Sequence, residues 1–455
     1  MERRAELAIL VGVGLAFLAP TLAAIGAQIA FGYDEAVYAQ LTRHWLTGAP
    51  ASGWDLHRPP GLSVVGIVPQ ALGSGTEWAH RLIGAGAGLG VVAAAWWAAR
   101  GIGGTVAGII AAFALAVSSP LQVESASFLT DVPSTLVLVV VTILGWRHVS
   151  ESAPIGWSFV WLGLLAAVAF YLRYGSIVET VGLAVAMVAV APRRLLAAWR
   201  PVLAAVTVFG VALVPHVTIA VAETGSPWGI LAFAGRAAGG SDGVPLFSYV
   251  AWFPWQLIGP IGAVLALVGI VAAIGRTGFA RFIGLALVVP IAVLSTIVHA
   301  EPRYMLFPIV LLVIVGSVEA VVHLQRLRAP RRVIAGLVAA AVILGAATTT
   351  WEIGTRATLF DWKREAGRDI GAAGGDCSVL TADVPIISWY SGCPAVNFLS
   401  GTEALTGSRR FAIVRTDGHL QPDAAVVQAL VADAEVMRTY EDGAGRLAAT
   451  VYRLR

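Results

Sequence analysis

Residues 6–41 read ELAILVGVGLAFLAPTLAAIGAQIAFGYDEAVYAQL, an apolar run that ends close to two adjacent carboxylates, Asp34 and Glu35. A membrane span needs about 20 apolar residues, and the stretch 6–28 has that length. It is longer than the apolar region of a typical signal peptide and has no clear small-x-small cleavage site. The sequence therefore predicts a retained first transmembrane helix, followed by an acidic pair at its outer end.

The composition predicts the same environment for most of the chain. Of the 455 residues, 58% are hydrophobic and 13% are charged, with a mean hydropathy of +0.80. A soluble domain usually carries about 25% charged residues. A lipid-facing surface needs no charged shell, so a polytopic α-helical membrane protein is predicted. The net charge of +3 is too small to indicate a nucleic-acid partner.

Apolar length predicts about eleven transmembrane helices, and arginine predicts their orientation. The predicted spans are roughly 6–28, 77–99, 104–122, 132–147, 156–172, 176–192, 201–222, 250–274, 281–298, 304–322 and 333–351. Cytoplasmic loops carry an excess of positive charge. One set of arginines falls on a single side if the N-terminus is inside: Arg3, Arg4, Arg100, Arg147, Arg193, Arg194, Arg200, Arg276, Arg281, Arg326, Arg328, Arg331 and Arg332. The odd number of spans then places the C-terminus outside.

Residues 353–455 differ in composition from the membrane part, residues 1–352. Short β-like runs, CSVLTA, AVNFL, RFAIVRT and ATVYRL, alternate with a helical pattern, PDAAVVQALVADA. This alternation predicts a small extracytoplasmic α/β domain. The two cysteines, Cys377 and Cys393, both fall in it. An oxidising compartment favours a disulfide between them over a buried free pair.

The first outer loop, residues 29–76, begins with the acidic pair. Val37, Tyr38, Leu41 and Trp45 recur at helical spacing, which predicts an amphipathic helix in the membrane interface. Asp34 could be the N-cap of this helix. Neighbouring helix residues point about 100° apart, so one carboxylate is expected to face a cavity while the other supports it.

Three further clusters of polar residues lie at the same predicted depth. Arg58 precedes Pro59–Pro60, which stiffens the chain ahead of a short apolar segment at 60–72 that is re-entrant or interfacial. Asp131 stands in TDVP, a helix-start pattern, and HAEPRY brings Glu301 close to Arg303. Snorkelling, helix capping and a structural ion pair each explain one cluster. Together, however, they place costly charge at one depth, which indicates an anionic ligand with a lipid tail and a proton to be removed.

Four motifs in order, YDEAVY, HRPPG, TDVP and HAEPRY, resemble those of the polyprenyl-phosphate-sugar-dependent glycosyltransferases of the GT-C superfamily. The most similar branches are the protein O-mannosyltransferases and the aminoarabinose transferases. The resemblance covers the membrane part and implies the GT-C fold. It also implies single displacement with inversion, from a polyprenyl-phosphate sugar donor to a hydroxyl of an extracytoplasmic acceptor, in the plasma membrane.

The resemblance also implies roles for individual residues. Asp34 matches the family's general base, and Glu35 matches a second acid that orients it or the acceptor. Arg58 and Arg303 match positions that bind the donor phosphate. Asp131 matches an acid near the donor site. From their place at the outer ends of the spans, and not from the resemblance, Tyr304 and Arg173 are assigned to the same phosphate region, and His57, His299, Glu301 and Tyr33 to the donor or acceptor site. No nucleotide and no obligatory cofactor is implied.

Two departures limit what the resemblance carries. In the aminoarabinose branch a basic residue stands where this chain has Val37, and an acid stands at the position of His57. A divalent metal held by His57 and His299 with Glu35 or Glu301 is possible but not favoured, since the ligand spacing is loose.

Two other classes of function compete with a transferase. A flippase or transporter of lipid-linked sugars or ions would also have many spans and interfacial charge. The sequence shows no inverted repeat and no matched pair of broken helices, which disfavours it. A structural subunit of a wall-polymer assembly would leave Asp34 dispensable.

Overall fold

A computed structural model of the chain describes residues 3–27, 29–72, 76–150, 154–237, 248–249, 253–296, 301–324, 331–418 and 420–455. Within these ranges six helices are long and apolar enough to cross a membrane: Arg4–Gly26, Glu77–Ala116, Asp131–Ser150, Trp199–Thr224, Pro254–Gly275 and Pro302–His323. Four shorter apolar helices accompany them: Gly61–Ala71, Trp157–Leu172, Ser176–Val190 and Phe279–Leu294. The prediction of a mostly helical protein with many apolar helices is confirmed.

The helices are numbered in chain order. They are α1 (Arg3–Gly26), α2 (Tyr33–Thr47), α3 (Gly61–Ala71), α4 (Glu77–Ala116), α5 (Ser119–Ser125), α6 (Asp131–Ser150), α7 (Val160–Leu172), α8 (Ser176–Val190), α9 (Pro192–Ala197), α10 (Trp199–Thr224), α11 (Gly229–Ala237), α12 (Phe253–Gly275), α13 (Phe279–Leu294), α14 (Leu306–Leu324), α15 (Arg331–Ala372), α16 (Val384–Ser391) and α17 (Ala424–Val431). The 3₁₀ turn Pro302–Met305 leads into α14. The predicted interfacial helix is α2, and the predicted short segment at 60–72 is α3.

Helix α4 changes direction within its bounds. Gly104 has φ +83°, a conformation that glycine adopts without a steric penalty. A Cβ at Gly108 would lie 2.9 Å from the main-chain oxygen of Trp96, twelve positions earlier. In a straight helix, residues this far apart are separated by about 18 Å. The chain therefore turns back here, and the predicted spans 77–99 and 104–122 lie on either side of the turn.

Helix α14 is the centre of the membrane part. Nearly all of its side chains from Leu306 to Ser317 are buried. It packs closely against α12 through glycines: a Cβ at Gly316 would lie 1.9 Å from the carbonyl oxygen of Leu265, and one at Gly269 would lie 2.1 Å from that of Leu312. Small residues let helix backbones approach closely where no hydrophobic effect acts between helices in lipid.

Five strands form the C-terminal sheet: β1 (Cys377–Thr381), β2 (Ala395–Val396), β3 (Arg409–Arg415), β4 (Glu435–Glu441) and β5 (Leu447–Leu454). Their order is β2-β1-β3-β5-β4, with β1 parallel to β2 and β3, and β5 antiparallel to β3 and β4. The residues from 377 to 455 are called the C-terminal unit below. A disulfide joins Cys377 and Cys393, whose Cα atoms are 5.4 Å apart.

The C-terminal unit is not separated from the membrane part by a flexible linker. Helix α15 runs without a break from Arg331 to Ala372, across the domain boundary predicted after residue 352. Trp362, Ala366 and Ile370 near its end are buried in one hydrophobic core with residues of the sheet. The end of α15 therefore belongs to both parts of the molecule, and the boundary at 352/353 stays a prediction.

Candidate functional site

Asp34 lies in the first turn of α2, but it does not cap the helix. The N-cap is Gly32, whose main-chain N–H donates to Glu35 Oε2 at 2.9 Å. Capping, one of the roles that the sequence left open for Asp34, is therefore not the role it has in the structure. Glu35 stands at the third helical position, where a carboxylate can reach back to the N-cap N–H. The side chain of Asp34 is left for contacts outside its own helix.

Two arginines from distant segments hold Asp34. Arg58 Nη1 lies 2.6 Å from Asp34 Oδ1, and Arg303 Nη1 lies 3.0 Å from Asp34 Oδ2. Burial raises the pKa of Asp34, but the charges of Arg58 and Arg303 and their hydrogen bonds outweigh it. The pKa of Asp34 consequently lies below its ordinary value, and the group is an ionised carboxylate at neutral pH.

Glu35 is largely buried, although it and Arg81 also belong to the wall of the cavity described below. Its two oxygens each accept a hydrogen bond of 2.9 Å from Arg81, and they also accept from the main-chain N–H groups of Phe128, at 2.8 Å, and Gly32. Glu35 is 6% exposed and Arg81 is 4% exposed. Burial raises the pKa of Glu35, while Arg81 and the two N–H groups lower it further than that, below its ordinary value. Arg81 was not predicted, because a lone arginine near the start of an apolar helix gives no sign of a partner 46 residues away in the sequence.

The segment after α13 contributes Glu301 and Arg303. Glu301 Oε2 lies 2.5 Å from Arg303 Nε, so the ion pair that HAEPRY suggested is present in the structure. Arg303 thus contacts two carboxylates, Glu301 and Asp34. His299, the other residue predicted from this motif, lies outside the described residues.

A second ion cluster surrounds Arg173. Its Nε lies 3.4 Å from Asp131 Oδ1 and its Nη1 lies 3.7 Å from Glu179 Oε1, while its guanidinium carbon is 5.1 Å from the centre of the Tyr304 ring. Asp131, Arg173 and Tyr304, predicted separately, are therefore brought together. Glu179 was missed, since it is a single acid inside the apolar helix α8.

The two remaining predicted residues that the structure describes, Tyr33 and His57, are the sequence neighbours of Asp34 and Arg58. Tyr33 begins α2, is 37% exposed and has the Arg58 guanidinium carbon 5.8 Å from its ring centre. His57 contacts the Asp55 carboxylate and packs 5.4 Å from the Phe233 ring. Across the described ranges, no three His, Cys, Asp or Glu side chains are grouped closely enough to hold a metal ion.

Asp34 opens onto a large cavity. Its volume is about 1060 Å³, and its wall includes Tyr33, Asp34, Glu301 and Arg303, whereas Arg58 is not part of the wall. Apolar side chains from α5, α12 and α15, among them Val123, Ile258 and Leu344, form most of the remaining wall. The cavity therefore combines charged groups with a largely apolar surface.

A second charged group on the cavity wall was not predicted. Arg356 Nη2 lies 2.7 Å from Glu124 Oε1, and its Nη1 donates to Ser127 Oγ at 3.2 Å. Glu352 stands one turn before Arg356 on α15 and lines the same cavity. This group is connected to the acidic pair Asp34–Glu35 through the main chain, because Ser127 accepts from Arg356 and the next residue, Phe128, donates to Glu35. The signal available in the sequence was the isolated charges in SPLQVES and WEIGTRA.

The chain is similar to known membrane glycosyltransferases in one family model and in fold. Residues 57–219 match the family model of dolichyl-phosphate-mannose-protein mannosyltransferase. That range contains Arg58, Asp131 and Arg173 but begins after Asp34. No curated protein matches the chain in sequence.

Three solved structures share the fold. ArnT from Cupriavidus metallidurans bound to undecaprenyl phosphate has a TM-score of 0.71 and 15% identity, over 99% of this chain and 98% of that one. The apo state of the same protein has a TM-score of 0.69 and 16% identity, over 100% and 98%. The archaeal oligosaccharyltransferase AglB from Archaeoglobus fulgidus, in complex with an inhibitory peptide and a dolichol-phosphate, has a TM-score of 0.56 and 11% identity, over 91% and 69%. At these identities the likeness concerns the fold, and together with the family model it confirms the resemblance to GT-C glycosyltransferases that the four motifs indicated.

Proposed function

We propose that this protein is an integral-membrane, inverting glycosyltransferase. It moves a sugar from a polyprenyl-phosphate donor to a hydroxyl of an extracytoplasmic acceptor, which is a cell-wall glycan, a glycolipid or a protein. The observation that carries the proposal is the position of Asp34, held between Arg58 and Arg303 at the wall of a cavity that is otherwise largely apolar. A carboxylate, two guanidinium groups and a lipid-sized apolar surface are the groups that this chemistry requires.

The nature of the donor is supported by the solved relatives. The crystal structure of ArnT holds undecaprenyl phosphate, and AglB is in complex with a dolichol-phosphate. Both ligands combine a phosphate with an isoprenoid chain, and the cavity here is lined by arginine and by many aliphatic side chains. We assign the phosphate to Arg303, which faces the cavity, with Arg58, Arg173 and Tyr304 behind it.

The reaction is one displacement at the anomeric carbon. Asp34 takes the proton of the acceptor hydroxyl while the oxygen of that hydroxyl forms a bond to the anomeric carbon, on the face opposite the phosphate. The bond between that carbon and the phosphate oxygen breaks, and the lipid phosphate leaves with the electron pair. A positioned base contributes about 10²–10⁴-fold to such a step. Arg303 and Arg58 stabilise the negative charge that grows on the phosphate, and Arg suits this role because its planar fork binds phosphate oxygens in pairs.

Donor binding also makes Asp34 a stronger base. In the free protein its carboxylate shares the hydrogen-bond donors of both arginines, which holds its pKa down. A bound phosphodiester competes for those donors and places a second negative charge nearby. Both effects raise the pKa of Asp34, so the base is released when the donor is present.

Glu35 is assigned a supporting role in this scheme. Its oxygens are engaged by Arg81 and two main-chain N–H groups, so it holds the start of α2 rather than contacting substrate. The second charged group, Glu124, Glu352 and Arg356, is assigned to the hydroxyls of the sugar. Carboxylates accept hydrogen bonds from hydroxyl groups and arginine donates them.

The topology belongs to the proposal as well. Eleven spans with the N-terminus inside and the C-terminus outside put the site and the C-terminal unit on the extracytoplasmic face of the plasma membrane. The support is the placement of arginine in the loops on the other side.

The test compares wild-type protein with Asp34→Asn in detergent micelles containing a polyprenyl-phosphate sugar and an acceptor. Transfer is lost in the variant, while binding of polyprenyl phosphate is kept or strengthened, because both arginines lose a competitor. Asp369→Asn is the control: it removes a carboxylate near the end of α15 that lies 2.7 Å from Arg438 of the C-terminal unit and is not part of the cavity wall. Full transfer by Asp34→Asn would refute the base assignment, and sugar-lipid transport without transfer by the wild type would favour a flippase.

A further inference from the structure

The main chain just before α2 is held by side chains and not by secondary structure. Residues 29–32 are called the acid turn here, because they lead directly into Asp34. Arg81 donates to the carbonyl oxygens of Ile29, at 2.7 Å, and Ala30, at 3.2 Å. The three following N–H groups donate to carboxylate or hydroxyl oxygens: Ala30 to Asp361 Oδ1, Phe31 to Tyr390 Oη and Gly32 to Glu35 Oε2, each at 2.9 Å.

Two of these contacts come from the far end of the chain. Asp361 lies on the part of α15 that follows the cavity-lining residues, and Tyr390 lies on α16 of the C-terminal unit. The Tyr390 hydroxyl accepts a hydrogen bond from the Phe31 N–H and donates one to Glu77 Oε1 at 2.8 Å. These two hydrogen bonds fix the orientation of the hydroxyl group. Asp361 is itself held by Arg364, whose Nη2 lies 3.1 Å away.

Helix α16 is firmly seated on the first outer loop. Arg43 donates to the carbonyl oxygens of Trp389 at 3.0 Å and Ser388 at 3.3 Å, and its guanidinium carbon lies 4.5 Å from the centre of the Trp389 ring. The Phe31 ring lies 5.3 Å from the Trp389 ring, and Phe31 and Ile386 are fully buried in the shared cluster. The disulfide begins at Cys393, two residues after α16 ends, and ties this segment to β1.

We infer that the end of α15 and the C-terminal unit together position the catalytic carboxylate, with Asp361 and Tyr390 as positioning residues that act through the main chain of the acid turn. The inference rests on the proposed function of Asp34. Gly32 is only two residues before Asp34, and a shift of the acid turn moves the first turn of α2 with it. A displacement of about 1 Å of a reacting group can cost roughly 10²-fold in rate. The membrane part alone is then an incomplete enzyme.

This role has a signature that simple structural support lacks. Loosening the acid turn moves Asp34 away from Arg58 and Arg303, the two cations that face it from the first outer loop and from the segment before α14. The other titratable groups that interact with Asp34 are Tyr33 and Tyr38 on its own helix and Asp131 on α6. With weaker cationic contacts the pKa of Asp34 rises, so the carboxylate becomes protonated, and activity is lost, at a higher pH than in the wild type.

The experiment uses the full-length protein and the variants Tyr390→Phe and Asp361→Asn. Tyr440→Phe is the matched control, because Tyr440 is a buried tyrosine of the same C-terminal unit. Its hydroxyl donates to Asp369 Oδ2 of α15 at 2.6 Å and does not contact the acid turn. We measure kcat and KM for the polyprenyl-phosphate sugar as a function of pH, together with the unfolding temperature.

We expect Tyr390→Phe and Asp361→Asn to lower kcat by about tenfold or more, with a smaller change in KM, and to move the acid limb of kcat/KM to higher pH. Tyr440→Phe lowers the unfolding temperature comparably but leaves kcat and the acid limb unchanged. The inference is overturned if all three variants have the same kinetics and pH profile. A wild-type protein that releases no polyprenyl phosphate overturns the proposed function itself, and this outcome is visible before any variant is compared.

Discussion

Arg303 offers the sharpest single substitution, because it both faces the cavity and contacts the proposed base. Its Nη1 lies 3.0 Å from Asp34 and its Nε lies 2.5 Å from Glu301, which aims the guanidinium at the cavity wall. Replacing it by Gln removes the charge that opposes the growing phosphate anion. Loss of one such donor costs about 2.7–4 kcal/mol, or roughly 10²–10³-fold in kcat.

Two companion variants separate charge from geometry. Arg303→Lys keeps the charge but loses the planar fork, so its loss of kcat is expected to be smaller than that of Arg303→Gln. Arg58→Gln removes the partner at 2.6 Å from the other oxygen of Asp34, yet Arg58 is not part of the cavity wall. Its main effect is therefore expected on the pH profile, through the pKa of Asp34, with a smaller effect on the phosphate.

The assay is single-turnover release of polyprenyl phosphate from donor bound to saturation in detergent micelles, with folding checked by thermal unfolding. Saturation separates the chemical step from donor affinity. A kcat for Arg303→Gln within a factor of about three of the wild-type value would show that this side chain stabilises no transition-state charge, and the phosphate assignment would have to be given up.

Four other predictions follow from the same contacts. Arg58 and Arg303 lower the pKa of Asp34 in the free protein, and the bound donor phosphate competes for both arginines. The acid limb of kcat/KM, which reports the free protein, should therefore lie at lower pH than the acid limb of kcat, which reports the donor complex. Acid limbs at the same pH would contradict the proposed rise of the pKa of Asp34 on donor binding. Glu35→Gln leaves the buried Arg81 without its charged partner and should destabilise the protein by about 3–5 kcal/mol, seen as a lower unfolding temperature; unchanged stability with lost activity would instead make Glu35 a catalytic group. Glu352→Gln should raise KM for the donor sugar by about tenfold with little change in kcat, whereas an unaltered KM would remove this side chain from the sugar site. Reduction of the Cys377–Cys393 disulfide, which spans 16 residues, should lower the unfolding free energy of the C-terminal unit by about 3 kcal/mol, and identical denaturation curves with and without reductant would argue against it.

The sequence was sufficient to predict the membrane class and the meeting of Asp34 with Arg58 and Arg303. Apolar length and arginine placement assign each loop to a depth and a side, and charges at one depth are expected to converge. The strands at 377–381, 409–415 and 447–454 were likewise visible as apolar runs. These features depend on local pattern, which a single sequence displays.

Features that depend on a distant partner were not visible. Arg81 lies near the start of α4 and Arg356 lies inside α15, and no neighbouring residue in the sequence indicates that their partners are Glu35 and Glu124. Strand β4 was missed because most of its side chains are exposed, so EVMRTYE lacks a buried alternate face. Helix α16 was also missed, although Asp383 before Val384–Pro385 is a recognisable helix start.

The N-cap of α2 shows why local rules can mislead at a functional site. Asp is a favoured N-cap residue, and Asp34 follows the first span at a plausible distance. In the structure Gly32 takes that position because Glu35 reaches back to its N–H, and Asp34 turns toward Arg58 and Arg303 instead. Two adjacent carboxylates thus line the same cavity with different partners: Asp34 contacts Arg58 and Arg303, and Glu35 contacts Arg81 and main-chain N–H groups.

The central claim is that a lipid phosphate leaves as its sugar is transferred. The most direct measurement incubates the purified protein with a panel of polyprenyl-phosphate sugars and an extract of envelope acceptors, and follows free polyprenyl phosphate. One member of the panel is expected to release polyprenyl phosphate in step with glycosylated product, and the release is expected to vanish in Asp34→Asn. Binding or transbilayer movement of the lipid-linked sugars with no release from any of them would contradict the account.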